Sequence, residues 1–382
     1  MRNVLVAIAI VFAAALVSGG CKPKGGGKPK VAVSIFPLHD ITKRIAGDRL
    51  EVLLVLPPGK SEHGYDPTPK EIARLEGTKL GIAVGLDMDG WVEGIMKSAG
   101  GAPRMVHLGE KVPTIPIDVT PIGEDEAHHE GEHEGEKHEG EHHEGEHHEG
   151  EKHEGEKHEG EKHEGEHHEG EKHEGEKHEG EKHEGEKHEG EDHHDEAKPA
   201  PKDDHDEHHH AGKGAPDPHF WMDPQRMSAA VDVIAAELTT LDPAGKDVFA
   251  ANAATVKKSL AELDQKTAAR AKTWSKKTIV TFHGSMSYYA ARYGLRIAAV
   301  VEPLAGKEPT PQYVAEVLAA IKHGQAAALF SEPQLDRRPA EVIASEGKIP
   351  LGELDPVGGG TGRESYEALI NWNTDQLEKV LK

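Results

Sequence analysis

The chain has 382 residues, of which 69 are acidic, 45 basic and 29 histidine, for a formal charge of −24; its length suggests two or three domains. Residues 124–210 hold 36 acidic, 10 basic and 23 histidine side chains, a formal −26, which leaves the remainder at +2 with 6 histidines. That near-neutral remainder has no basic stripe with interleaved aromatics, which argues against a nucleic-acid partner, and the single cysteine, Cys21, excludes an internal disulfide.

In chain order, Arg2 precedes an apolar run from Val4 to Val17 and then small residues. This is signal-peptide grammar over residues 1–20, and the run is too short for a comfortable membrane span. Cys21 follows directly and resembles a bacterial lipidation site, although Ser18 stands where Leu, Val or Ile is usual. The chain is therefore expected to be anchored by lipid to the outer face of a membrane, with residues 21–29 as a flexible tether.

A first α/β lobe is expected over residues 30–123. KVAVSIF (30–36), EVLLVL (51–56), KLGIAVG (79–85) and RMVHLGE (104–110) read as buried strands. Helical segments alternate with them at 40–46, 67–77 and 88–100, and Pro69 is tolerated in a first helical turn. Such alternation argues for a parallel sheet covered on both faces.

Residues 124–213 form an insert dominated by a five-residue beat of the kind HEGEK. Glycine recurs every fifth residue, apolar side chains are almost absent, and a period of five matches neither helix nor strand. Low hydropathy and high charge predict disorder. The histidines and glutamates can still bind Zn²⁺, Ni²⁺ or Cu²⁺ weakly and interchangeably, so the insert reads as a metal buffer or antenna, or else as a solvated tract.

After the insert, residues 214–243 complete the first lobe and 244–272 read as one long bridging helix. The second lobe, 273–382, repeats the alternation. Its expected strands are 277–282, 295–301, 326–332 and 348–354, and its expected helices 285–292, 311–322, 338–346 and 363–381. The fold class is thus α/β, with two similar lobes around central parallel sheets. In such architectures ligands bind near strand carboxyl ends and between lobes.

The 6 histidines outside the insert are His39, His63, His107, His219, His283 and His323. His63, His219 and His283 lie in loops beside expected strands, each stiffened by proline or a turn, and Asp355 lies in a fourth such loop. Three neutral imidazoles and one oxygen suit tetrahedral Zn²⁺. Spacing alone leaves open that these are unrelated loop residues. His39, His107 and His323 read as structural or solvent-facing. Tyr65, Phe220 and Trp221 read equally as walls of a site or as packing, and Glu332 as a second contact or as local structure.

The segments FPLHDITKRIAGD (36–48), SEHGYDPTPKEIARL (61–75), DPHFWMDP (217–224), TFHGSMSYYAARYGL (281–295), EPTPQYVAEVLAAIK (308–322), LFSEPQ (329–334) and LDPVGG (354–359) resemble, in order, the zinc-uptake group of metal-binding lipoproteins of ABC importers, with the TroA-like fold. The resemblance implies two like lobes bridged by one long helix, modest closure on binding, and no catalysis. It implies a monomer that binds a zinc ion and delivers it to a membrane permease from the periplasm or cell surface. It carries the metal ligands to His63, His219 and His283, with Asp355, Glu62 or water as the fourth, in that order. His283 stands where manganese-type relatives carry Glu, which favours zinc. Three other readings stay open: a manganese, iron or nickel carrier, a metal store working through the repeat, and a zinc hydrolase with Glu62 as base. The hydrolase lacks any HExxH-like motif.

Overall fold

The computed structural model describes residues 27–118, 214–303 and 307–382. The expected signal peptide, Cys21, the start of the tether and the histidine-rich insert all lie outside the described residues.

The first lobe runs β1 (Lys30–Val33), α1 (Phe36–Ala46), β2 (Glu51–Leu54), α2 (Pro69–Arg74), β3 (Thr78–Ala83), α3 (Trp91–Ser98) and β4 (Arg104–His107). Then come α4 (Pro224–Leu241) and the long α5 (Lys246–Ala271). The second lobe runs β5 (Thr278–Thr281), α6 (Ser287–Tyr293), β6 (Arg296–Val300), α7 (Pro311–Gly324), β7 (Leu329–Ser331), α8 (Arg338–Gly347), β8 (Leu351–Glu353) and α9 (Tyr366–Leu381). The two sheets have four strands each, ordered β2-β1-β3-β4 and β6-β5-β7-β8, and every described pairing within them is parallel. The lobes therefore share one strand order, as expected.

Local chemistry sets the element ends. Helix α1 begins at Phe36, earlier than the apolar spacing suggests, because Pro37 is favoured in a first turn. Thr68, Asp223, Thr310 and Ser365 cap α2, α4, α7 and α9 by accepting from backbone amides. Among the described residues no helix is long and apolar enough to cross a membrane.

One apolar core runs through both lobes. It joins Val31, Val33 and Ile82 of the first sheet, Phe220–Met222, Phe249 and Leu260 of the α4–α5 layer, and Tyr288, Phe330 and Tyr366 of the second lobe. Each sheet's other face has a smaller cluster, around Val55 and Val92 in the first lobe and around Phe282 and Val317 in the second. Helix α5 packs on α1 and α4 on one side and on α6 and α9 on the other, so it does bridge the lobes.

The chain on either side of the insert is stapled together. Ile117 donates its N–H to Ala215 at 2.8 Å, Gly214 donates to Ile117 at 3.0 Å, and Pro116 pairs antiparallel with Pro216. The described residues that flank the insert thus meet a short way before His219.

Candidate metal centre

Three loops converge between the lobes, two of them following strands. The first follows β2. There the indole N–H of Trp91, at the start of α3, donates to the Glu62 carbonyl at 2.9 Å, and the Ser61 hydroxyl accepts from the His63 amide at 3.3 Å. The second precedes α4. Asp217 Oδ1 accepts from both the His219 amide and His219 Nδ1, each at 2.8 Å, while the Tyr288 hydroxyl donates to the Asp217 carbonyl at 2.6 Å. The third follows β5, where His283 leads a short 3₁₀ turn over Gly284–Met286 into α6.

Glu62, His63, His219 and His283 each offer one ligand atom, and these atoms all lie within 4.8 Å of one another. His63 and His283 face each other with Nε2 atoms 2.9 Å apart. Ring centroids are 4.8 Å apart for His219 and His283 and 5.6 Å for His63 and His219. Glu62, His219 and His283 are buried and His63 is half-buried.

The orientation of His219 is set by its neighbour. With Nδ1–H donated to Asp217, the lone pair on Nε2 points into the cluster. That Nε2 and Glu62 Oε1 are both buried without a protein hydrogen-bond partner. Orphaned buried acceptors call for a ligand, because an unmet polar atom is costly.

Burial also moves the protons. It raises the Glu62 carboxyl, with help from Glu332, to about 7. It lowers His219 despite Asp217. For His283 burial acts downward, but the Glu332, Glu62 and Asp217 carboxylates outweigh it and raise the imidazole to about 9. Two Nε2 lone pairs 2.9 Å apart would repel, so the His63–His283 contact holds a proton between them.

Asp355 is not among the side chains that converge within 4.8 Å of one another. Its Oδ1 accepts from Gln334 at 2.7 Å and from the amides of Val357 and Gly358 at 2.9 Å each. Its Oδ2 faces the Arg363 guanidinium at 3.1 Å. Oδ1 is thus taken up by three donors, and Oδ2 lies in an ion pair. Glu62, ranked second from the sequence, converges with the three imidazoles instead.

The other histidines stay apart from the cluster. His107 lies between Glu93 and Glu110, at 3.0 and 3.3 Å; His323 is exposed near the end of α7; His39 sits half-buried on α1. Phe220 and Trp221 are core residues, and Trp221 donates its indole N–H to the Pro356 carbonyl at 2.8 Å. Tyr65 packs edge-on against Trp91. Asp217 was missed by the sequence reading, though the D-x-H spacing in PDPHF could have marked it.

Two like α/β lobes on one bridging helix thus hold a largely buried donor cluster between them. The chain belongs to the family described as zinc-uptake complex component A, periplasmic, whose model matches residues 31–380. That family is one of transporter components, not of enzymes. The chain is 24% identical over 382 residues to the metal ABC transporter substrate-binding lipoprotein FimA of Streptococcus parasanguinis, covering 98% of this chain and 96% of that one. In fold it is similar to a crystal structure of ZnuA, with a TM-score of 0.62 and 17% identity, covering 93% of this chain and 100% of that one. It is equally similar to FpvC of Pseudomonas aeruginosa in complex with Mn²⁺, with a TM-score of 0.62 and 20% identity over 93% of this chain and 99% of that one.

Proposed function

We propose that this protein captures Zn²⁺ between its lobes and delivers it to the permease of an ABC importer, with Glu62, His63, His219 and His283 as ligands. The observation that carries this reading is the convergence of those four donors in a largely buried cleft, two of them orphaned. A tetrahedral zinc shell has ligand distances of about 2.0–2.2 Å, which sets ligand atoms about 3.4 Å apart. The cluster needs only small side-chain shifts to reach that spacing.

The donor set supports zinc over manganese. Mn²⁺ is at the weak end of the divalent series and prefers oxygen ligands, whereas three imidazoles suit zinc. The Mn²⁺ in FpvC belongs to that protein. Transfer needs only ligand exchange, with no bond in a substrate made or broken. The lipoprotein name of FimA supports a chain held at the membrane's outer face through Cys21, in the periplasm or at the cell surface.

The test is a chelator competition titration of the full chain with Zn²⁺ and with Mn²⁺. One tight zinc site, weaker for manganese, is expected. His283→Ala should abolish tight binding, whereas His153→Ala in the repeat should leave it intact. Equal losses from the two changes, or tighter binding of manganese, would overturn the reading.

A further inference from the structure

Glu332 lies beside the cluster without belonging to it. Its Oε1 is 3.4 Å from His283 Nδ1, and the two side chains are 3% and 4% exposed. The Ser285 hydroxyl donates to the same Oε1 at 2.6 Å. Glu332 directly follows β7, and β7 pairs with β5, the strand that leads to His283. The carboxylate is therefore placed by the sheet and by the 3₁₀ turn.

Charge gives this placement a purpose. A dication held by three neutral imidazoles and the Glu62 carboxylate leaves one positive charge in a dry site. Uncompensated buried charge is costly. Asp355 already faces Arg363, whereas Asp217, like Glu332, meets only an imidazole of the cluster and keeps its charge beside it. Glu332 has no cationic Lys or Arg partner among the described ion pairs and faces His283 instead.

We propose that Glu332 is the positioning residue of the centre: held by Ser285, it keeps the proton of His283 on Nδ1, turns Nε2 to the metal, and balances the charge of the bound dication. This rests on the reading of the cluster as a zinc site. The pairing repeats on His283 what Asp217 does for His219. The two lobes thus meet the metal with imidazoles whose outer nitrogens are fixed by carboxylates, an arrangement that orients the ring and strengthens it as a ligand. At 3.4 Å the contact is an ion pair and not a hydrogen bond, and His283 Nδ1 has no hydrogen-bond partner, so no other group holds that end of the ring.

The experiment is zinc competition against a strong chelator, on the full chain and its Glu332→Gln, Glu332→Asp and Ser285→Ala forms. Gln matches Glu in size but not in charge; Asp keeps the charge at the cost of a methylene. A role in packing alone ranks Gln above Asp. The proposal ranks Asp above Gln, with Gln losing roughly 10–100-fold in affinity. Ser285→Ala, which frees the carboxylate to turn, should lose several-fold. It also decides the matter if the Glu332 forms fail to fold: unchanged affinity in Ser285→Ala then overturns the proposal. Gln equal to or better than Asp overturns it as well. Absence of tight zinc binding by the unsubstituted chain would instead overturn the zinc-site reading itself, and the positioning role with it.

Discussion

At the scale of single residues, the proposed zinc centre sets a metal ion in competition with protons. In the metal-free protein the carboxylates around His283 hold its proton up to about pH 9, and Glu62 keeps its own up to about 7. A cation must expel both. Binding is therefore unhindered only above the higher value and weakens as pH falls. Between pH 9 and 7 the zinc affinity should drop by about tenfold per unit, and more steeply below 7 as the second proton competes. Titrations at several pH values, corrected for the chelator's own protonation, would measure this; a flat affinity between pH 7 and 9 would contradict it. The two carboxylates ranked for the fourth place should also part company. Glu62→Gln should cost zinc affinity by more than the roughly 10–100-fold typical of an outer partner. Asp355→Ala should leave affinity nearly unchanged but destabilise the fold by roughly 3 kcal/mol, because it strands Arg363 and two amides in a buried place. Denaturant melts in excess chelator, set beside zinc titrations, separate the two effects.

At the scale of elements, Asp223 ties the His219 loop to the helical layer. It caps α4 by accepting from the Gln225 amide at 2.8 Å, pairs with Arg226, and lies 3.6 Å from Arg292 of α6. Arg292 in turn forks onto Asp264 of the bridging helix, at 2.8 and 2.5 Å. Asp223→Ala should cost about 2–3 kcal/mol, from the lost cap and the lost carboxylate partner of Arg226, while Arg292 keeps Asp264. Asp223→Asn, an equally good cap, should cost less. Thermal melts of the two variants would check the order, and equal losses would show that the charge carries no weight. The elements themselves were legible in the sequence, since strand runs such as KVAVSIF and capped helix starts such as TPKEI are local signals. The three imidazoles were legible for the same reason, each sitting in a stiff loop after or beside a strand. The choice between Glu62 and Asp355 was not. Glu62 converges with the imidazoles while Asp355 meets Gln334 and Arg363, through contacts that join residues whose nearness only the folded lobe creates. Ser285 was hidden likewise, because nothing in HGSMS shows that its hydroxyl meets a carboxylate from another strand.

At the scale of the molecule, the lobes are not independent. Trp221 donates to Pro356 of the second lobe and accepts from the Tyr366 hydroxyl at 2.7 Å, while Arg44 of α1 meets Glu367 of α9 at 2.9 Å. With one core running through both sheets and α5 packed on each, the donors are held in register by the body of the protein. Among the described residues these contacts make a continuous frame, and Ile117 is joined to Gly214 and Ala215 by backbone hydrogen bonds across the position of the insert. A loop anchored in this way adds closure entropy that grows only slowly with its length, so shortening it should not cost stability. Removal of residues 124–213 leaves a short linker between the stapled strands and should preserve the fold. The deleted chain should then keep a single tight zinc site with unchanged affinity and lose only the weak, numerous sites that 23 histidines supply between residues 124 and 210. A competition titration of the two chains side by side reads both quantities. Retained tight binding makes the cleft the working site and the repeat an accessory that holds metal nearby; its loss would move the working site into the repeat and make the protein a metal store.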